Sequence, residues 1–247
     1  MKNQYFGDVG DYGKYGLLRT FAQNGISIAV NWYLTDNVSD TDGSSDGKFT
    51  QYLQDEKNKG KCPEVFAVLY SAVIEQKRRD VSFIENSDVI PSARFFNERL
   101  PLIKRISKEE RARIRKEWHR RGLRFCAGAD LIFLDPDNGL RENLTKSPKM
   151  DVKYVLCEEA VDYYNSGGNL VYYCHKGRRS EDKWKEYKKM LLRYLPDACE
   201  FGLTFHRGTQ RSFIFVVHPR DEKKYLEIAD GFLKTSWGNW YSFEPVE

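Results

Sequence analysis

Asp135-Pro136-Asp137-Asn138-Gly139 places two carboxylates and an amide within four positions, directly after the apolar run Leu131-Ile132-Phe133-Leu134. Four apolar residues without alternation predict a short strand buried on both faces. Proline and glycine then stop it. Asp135, Asp137 and Asn138 are thereby delivered to the strand's carboxyl end, the edge where open α/β sheets bind ligands. A carboxylate there can accept a hydrogen bond from a reacting nitrogen or serve as a hard oxygen ligand for Mg²⁺. Asp-Pro and Asn-Gly are also ordinary turn formers, so a turn without chemistry is the alternative.

Asp8, Asp11 and Lys14 are spaced by three, which puts them along one side of a helix beginning near Asp8. Asp11 as an N-cap with Lys14 as its solvent-exposed partner is the plainer reading. Glu85 ends an expected short strand, Val81 to Glu85, where an acid can bind ribose hydroxyls. Asp36 ends the strand before it and invites the same reading. His175, Lys176, Arg178 and Arg179 follow the run Val171-Tyr172-Tyr173-Cys174, and one imidazole with three cations beside a helix start suits phosphate. Arg207 and Arg211 flank a tight turn and could join that patch. A basic loop and surface acids are the alternatives. No H-x-E, H-E-x-x-H or paired Cys/His spacing occurs, so no zinc site is expected.

These residues must be positioned by a chain of 247 residues, 40% apolar and 31% charged, which is long enough for a sizeable core and too apolar for disorder. The net charge of +4 is uneven. Ten Lys/Arg against three glutamates lie between Lys104 and Arg124, so that stretch carries +7 and the remainder −3. Concentration of this kind is what contact with a phosphate backbone requires, through residues such as Arg113, Arg120 and Arg124. A solvated helix face of Glu-Arg pairs is the alternative. The five cysteines (Cys62, Cys126, Cys157, Cys174, Cys199) are odd in number and unpaired by spacing, as in reduced core positions. No apolar run approaches a membrane span and the start MKNQYFGDVGDYGKYG has no apolar leader, so a cytoplasmic protein without membrane attachment is expected.

The periodicity predicts a helix over Asp11 to Ala22, a strand over Ile26 to Leu34, and a loop or lid insertion at about 36–61. A helix follows over Cys62 to Gln76, then the short Val81 to Glu85 strand and a further candidate strand at Arg94 to Phe96. Ser107 and Glu110 form a capping box that opens a basic helix at about 107–125. Strand Leu131 to Leu134, a helix over Asp151 to Asn165, and strand Leu170 to Cys174 come next. Ser180 caps another helix, with Trp184, Tyr187, Leu191 and Tyr194 on one face. Phe201 to His206 and Ser212 to His218 are joined by Arg207-Gly208-Thr209-Gln210, a connection short enough to require an antiparallel hairpin. Alternating strands and helices give a mostly parallel sheet with helices on both faces. The whole chain is thus expected to be one α/β domain of Rossmann-like type with a C-terminal antiparallel hairpin.

With that order of elements, the chain resembles Rossmann-like methyltransferases that use S-adenosylmethionine. It is most similar to the bacterial family that methylates adenine N6 in 23S ribosomal RNA. Gly7 to Arg19, GDVGDYGKYGLLR, resembles that family's opening Asn-x-x-Asp-x-x-Lys-His stretch, which contributes to the cofactor pocket. LIFLDPDNG stands where the family has D-P-P-Y. The same segments also resemble a group of small bacterial proteins that share FGDVGDYGKYGLLR and DPDNG. The resemblance implies S-adenosylmethionine as cofactor, with Asp8, Asp11, Lys14, Asp36 and Glu85 on the cofactor side. It also implies a nucleic acid, RNA above all, as substrate, with Asp135 orienting the target nitrogen and Asn138 positioning it. The chain departs from the family in two places: no glycine follows the first strand until Gly43, and Asn138 replaces the aromatic that stacks on an extruded base.

The residues alone support a second chemistry. Asp135, Asp137 and Glu85, with Asn138, suit Mg²⁺ in a metal-dependent nuclease or phosphoesterase, with His175 or Lys176 on the phosphoryl group. A methyltransferase-like module without activity, binding nucleic acid or protein, is the third reading.

Overall fold

The computed structural model of the protein describes residues 1–36 and 47–246. Residues 37–46 of the expected lid at about 36–61 lie outside the described residues. Among the described residues the helices are α1 (Val9–Gln23), α2 (Glu56–Lys59), α3 (Pro63–Tyr70), α4 (Ser82–Glu85), α5 (Lys108–Cys126), α6 (Pro148–Asp151), α7 (Cys157–Asn165), α8 (Glu181–Lys188) and α9 (Glu222–Leu233). The strands are β1 (Ile28–Asn31), β2 (Arg94–Phe96), β3 (Leu131–Leu134), β4 (Leu140–Arg141), β5 (Val155–Leu156), β6 (Asn169–Cys174), β7 (Cys199–Phe205), β8 (Arg211–Val217) and β9 (Tyr241–Pro245).

Seven strands form one sheet in the order β2-β1-β3-β6-β8-β7-β9, and β4 pairs with β5 separately. β2, β1, β3 and β6 run parallel, with Phe133 opposite Val30 on one side and Val171 on the other. β8 is reversed and sits between β6 and β7, antiparallel to both, while β9 closes the edge antiparallel to β7. The sheet is therefore the expected mostly parallel one with a reversed hairpin.

The unalternating run of β3 has a direct cause. Leu131 and Phe133 join the core on one face with residues of α1, α3 and α9, whereas Ile132 and Leu134 join the core on the other with residues of α5, α7 and α8. A strand covered on both sides has no position for a polar side chain until it ends. It ends at Asp135.

Three expectations need correction. Val81 to Glu85 is helical, not a strand: Val81 and Ile84 are buried three residues apart, and Asp80 accepts from the Ser82 amide at 2.9 Å to start the turn. Arg94–Phe96 is the strand beside β1 instead. The expected helix from Asp151 to Asn165 is interrupted. The Asp151 carboxylate turns back to accept from the Thr145 amide at 2.7 Å, Val155 donates to the Gly139 carbonyl at 2.9 Å, and Glu159 caps the Leu156 amide at 3.0 Å to begin α7. α8 ends at Lys188, so Tyr194 lies beyond it and is half exposed, unlike the buried Trp184, Tyr187 and Leu191.

Candidate active site

Strand order reverses beside β1: the chain passes from β1 to β2 on one side and then crosses over to β3 on the other, all three strands parallel. A crevice outside the carboxyl ends is expected at such a point. Around the end of β3 lies a cavity of about 470 Å³, lined among others by Asp8, Lys14, Asp135, Asn138, His175 and Arg211.

One wall is the start of α1. Asp8, not Asp11, is its N-cap: Oδ1 accepts from the Gly10 and Asp11 amides at 2.7 and 3.1 Å, and Oδ2 accepts from Arg211 at 2.6 Å. Lys14 is not solvent-exposed but buried. Its Nζ lies 2.8 Å from both Asp11 Oδ1 and Asp135 Oδ2. Asp11 also accepts from the Gly7 amide at 2.9 Å. Burial opposes charge on Lys14, but the two carboxylates outweigh it and raise its pKa. Burial raises the Asp135 pKa, against the opposing pull of Lys14 and the Met1 amino group. The two 2.8 Å contacts favour the charged pair, since a neutral lysine would leave both carboxylates without a counter-ion.

The helix reaches this position because one side of it is bare. Gly10, Gly13 and Gly16 recur every third residue, and a Cβ on Gly10 would lie 2.4 Å from the Arg211 guanidinium carbon. Three glycines cost a helix about 1 kcal/mol each relative to alanine. Their spacing is the signal in the sequence for this close approach, and the charge-based reading misses it.

The opposite wall is the DPDNG turn. Asn138 donates from its backbone N–H to the Lys153 carbonyl at 2.9 Å. Gly139 has φ +102°, and a Cβ there would lie 2.3 Å from the Tyr187 hydroxyl, so only glycine fits. The strand β5 that pairs with the turn's exit is held from behind by Arg115. Its guanidinium donates to the Asp151 and Tyr154 carbonyls at 2.8 and 2.6 Å and to Glu159 at 2.6 Å. Sequence counting places Arg115 among the phosphate-directed cations. The structure buries it as a brace.

The Met1 amino group donates to the Trp32, Tyr33 and Asp135 carbonyls at 3.1, 3.2 and 2.9 Å and lies 3.2 Å from Asp137 Oδ1. That last contact is an off-line charge attraction. Neither Asp137 oxygen accepts a hydrogen bond among the described residues. His175 donates from Nε2 to the Asp137 carbonyl at 2.9 Å, and burial lowers its pKa, so the ring is neutral at pH 7 with its proton on Nε2.

Beside this cavity a groove of about 640 Å³ shares Asn138, His175 and Thr209 with it and adds Lys176, Arg178 and Arg179. Lys176 pairs with Glu181, and Arg179 binds the His175 carbonyl at 2.9 Å while lying 4.2 Å above the Tyr187 ring. Arg178 is exposed, without an ion-pair partner among the described residues. Arg211 is buried and holds the hairpin turn through the Arg207 and Thr209 carbonyls. Arg207 lies 5.1 Å over Trp240.

Other expected site residues are elsewhere. Glu85 accepts from Trp32 Nε1 at 2.8 Å and Asn97 at 3.0 Å, and Asp36 is exposed beside Arg99 at 2.9 Å; neither lines the cavity. Arg113 and Arg120 pair along α5 with Glu110 and Glu117, and Arg124 is exposed. Among the described residues no group of three or more His, Cys, Asp and Glu side chains is disposed to hold a metal, and no helix is long and apolar enough to cross a membrane. No protein-family model matches the chain, and no curated protein matches it significantly.

Proposed function

We propose that this cavity is the active site of a nucleic-acid methyltransferase that uses S-adenosylmethionine. The observation that carries the reading is a coincidence of position. A reversed strand is inserted between β6 and β7, as in Rossmann-like methyltransferases, and the DPDN turn ends β3 at the edge of a polar cavity. The fold likeness is an analogy, so the residues must carry the chemistry. A volume of about 470 Å³ lies in the range of roughly 300–1,000 Å³ usual for small-molecule sites. Asp137, whose oxygens accept no hydrogen bond among the described residues and whose Oδ1 lies 3.2 Å from the Met1 ammonium, is the carboxylate to which an ammonium such as the methionyl end of the cofactor would turn. When bound, the cofactor supplies an electrophilic methyl group. Asn138 and the Asp135 carboxylate orient the accepting nitrogen, and the exposed Arg178 holds a substrate phosphate. Cofactor contacts fall to Asp8, Asp11 and Lys14, since Asp36 and Glu85 point elsewhere.

The displacement of Asp36 from the cofactor side favours a second reading, phosphoester hydrolysis assisted by Mg²⁺ at Asp135 and Asp137, but Glu85, its third expected ligand, lies away from the cavity. The residues fit it less well: Asp135 is engaged by Lys14 at 2.8 Å, and no third carboxylate completes a metal-holding group among the described residues. Calorimetric titration separates the two. Binding of S-adenosylmethionine that weakens in Lys14→Met supports the first reading. Mg²⁺ binding that weakens in Asp137→Asn, with no heat from S-adenosylmethionine, replaces it with the second. RNA binding with neither ligand bound leaves a module without this catalysis.

A further inference from the structure

The DPDN turn brings no aromatic ring to the cavity, yet an aromatic ring stands on its rim. Phe49 lines the cavity and is 37% exposed, whereas Tyr173, which also lines it, is buried. Its place is fixed. The Phe49 carbonyl accepts from the Val9 amide at the start of α1, at 2.9 Å. Its ring rests on the hairpin turn, where a Cβ built on Gly208 would lie 3.3 Å from Phe49 Cδ2. The ring is thus tied to two walls of the cavity and partly exposed, with the Lys48 ammonium 5.7 Å from its centroid. Beyond the polar wall, the neighbouring groove begins at Asn138, His175 and Thr209 and carries the exposed Arg178.

We infer that Phe49 is the stacking platform for a single extruded nucleobase, whose phosphate lies in the adjoining groove on Arg178. This rests on the nucleic-acid reading above and names what that reading lacks: the residue that takes the base face. A flat π-system gains from an exposed ring, and a phosphate gains from an arginine free to form a bidentate contact. The shared residues His175, Asn138 and Thr209 let one ligand occupy both spaces. The platform itself does not distinguish between bases, because every base has a π face. Selection falls to the polar wall at Asp135 to Asn138.

The test uses a short single-stranded oligonucleotide with one central 2-aminopurine, whose fluorescence is quenched on stacking, and the full-length protein. The parent binds and quenches. Phe49→Ala loses the quench and binds about 5- to 100-fold more weakly, while Phe49→Trp retains both. Arg178→Ala weakens binding and lowers the log–log salt slope by about one, leaving the quench at saturation unchanged. Phe49→Leu, which keeps apolar bulk against the hairpin turn, behaves like Phe49→Ala if stacking is what is lost. Binding and quench in Phe49→Ala equal to the parent's would overturn the stacking site and leave the nucleic-acid reading standing. No binding by the parent would overturn both.

Discussion

Helix α5 pairs two of its exposed arginines locally, Arg113 with Glu110 and Arg120 with Glu117, each three residues apart. The cluster at the end of β3 adds to one buried local pair, Lys14 with Asp11, charges brought from far along the chain: Lys14 with Asp135 across 121 residues and Asp8 with Arg211 across 203. The first kind of pair is hydrated and screened, and contributes little to stability. The second is desolvated, so removing either partner strands a buried charge. Charge density in a sequence says nothing about which kind it will form. Arg113 and Arg115 make the point within one helix turn, one exposed beside Glu110, the other buried against Glu159.

The largest expected effect breaks the buried side of this comparison. Lys14→Met leaves Asp11 and Asp135 uncompensated, and Arg115→Met does the same to Glu159. Each is expected to cost about 3–5 kcal/mol, read as a lowered midpoint in urea unfolding. Arg113→Met, two residues from Arg115, should leave the midpoint where it is. Equal shifts for Arg113 and Arg115 would remove the distinction.

The elements behind the buried cluster were legible where one physical rule dominated. Leu131 to Leu134 had to be a doubly covered strand because nothing in it tolerates water, and Arg207 to Gln210 is too short for anything but a reversal. Val81 to Glu85 was not legible, because five residues with apolar positions three apart suit a helical turn as well as a strand. The Asp151 to Asn165 helix fails for a non-local reason: Val155 pairs with Gly139 in a turn that the helical period cannot foresee. At the site, Asp8, Asp11, Lys14, Asp135 and Asp137 could be named from spacing. That Lys14 bridges two of them depends on α1 lying close against the sheet, which the glycine spacing encodes and the charges do not.

Closeness of that helix gives the next expectation. Gly10→Ala pushes a methyl group into the Arg211 guanidinium and is expected to cost about 1–3 kcal/mol. It should also weaken any ligand of the cavity, since Arg211 anchors Asp8. A stable Gly10→Ala protein would mean that α1 has room to move.

A smaller effect concerns a half-buried acid outside the cluster whose carboxyl oxygens are buried without a counter-ion contact among the described residues. Burial pushes the Glu200 carboxyl up to about 8, and neither of its oxygens has a hydrogen-bond partner among the described residues. Its folded-state pKa lies above the ordinary value, so the folded state holds the proton more tightly. Stability from the protonated form is complete below about pH 4.5 and is lost as pH rises through 8. Tm measured from pH 5 to 9 should fall more steeply for the parent than for Glu200→Gln. Parallel curves would show that Glu200 ionises freely.

The smallest effect on stability is expected from Arg113→Ala, Arg120→Ala and Arg124→Ala together. If α5 also touches nucleic acid, the combined variant binds RNA more weakly with a shallower salt slope. An unchanged slope makes the helix an ordinary solvated face.

The claim that the end of β3 is a catalytic site is tested most directly by transfer of labelled methyl from S-adenosylmethionine to RNA. Parent protein and Asp135→Asn are compared, with folding of the variant checked by its unfolding midpoint. The account predicts transfer by the parent and none by folded Asp135→Asn, because the amide keeps the shape and loses the charge. Transfer by Asp135→Asn at the parent's rate, or no transfer by the parent to any RNA offered, would contradict it.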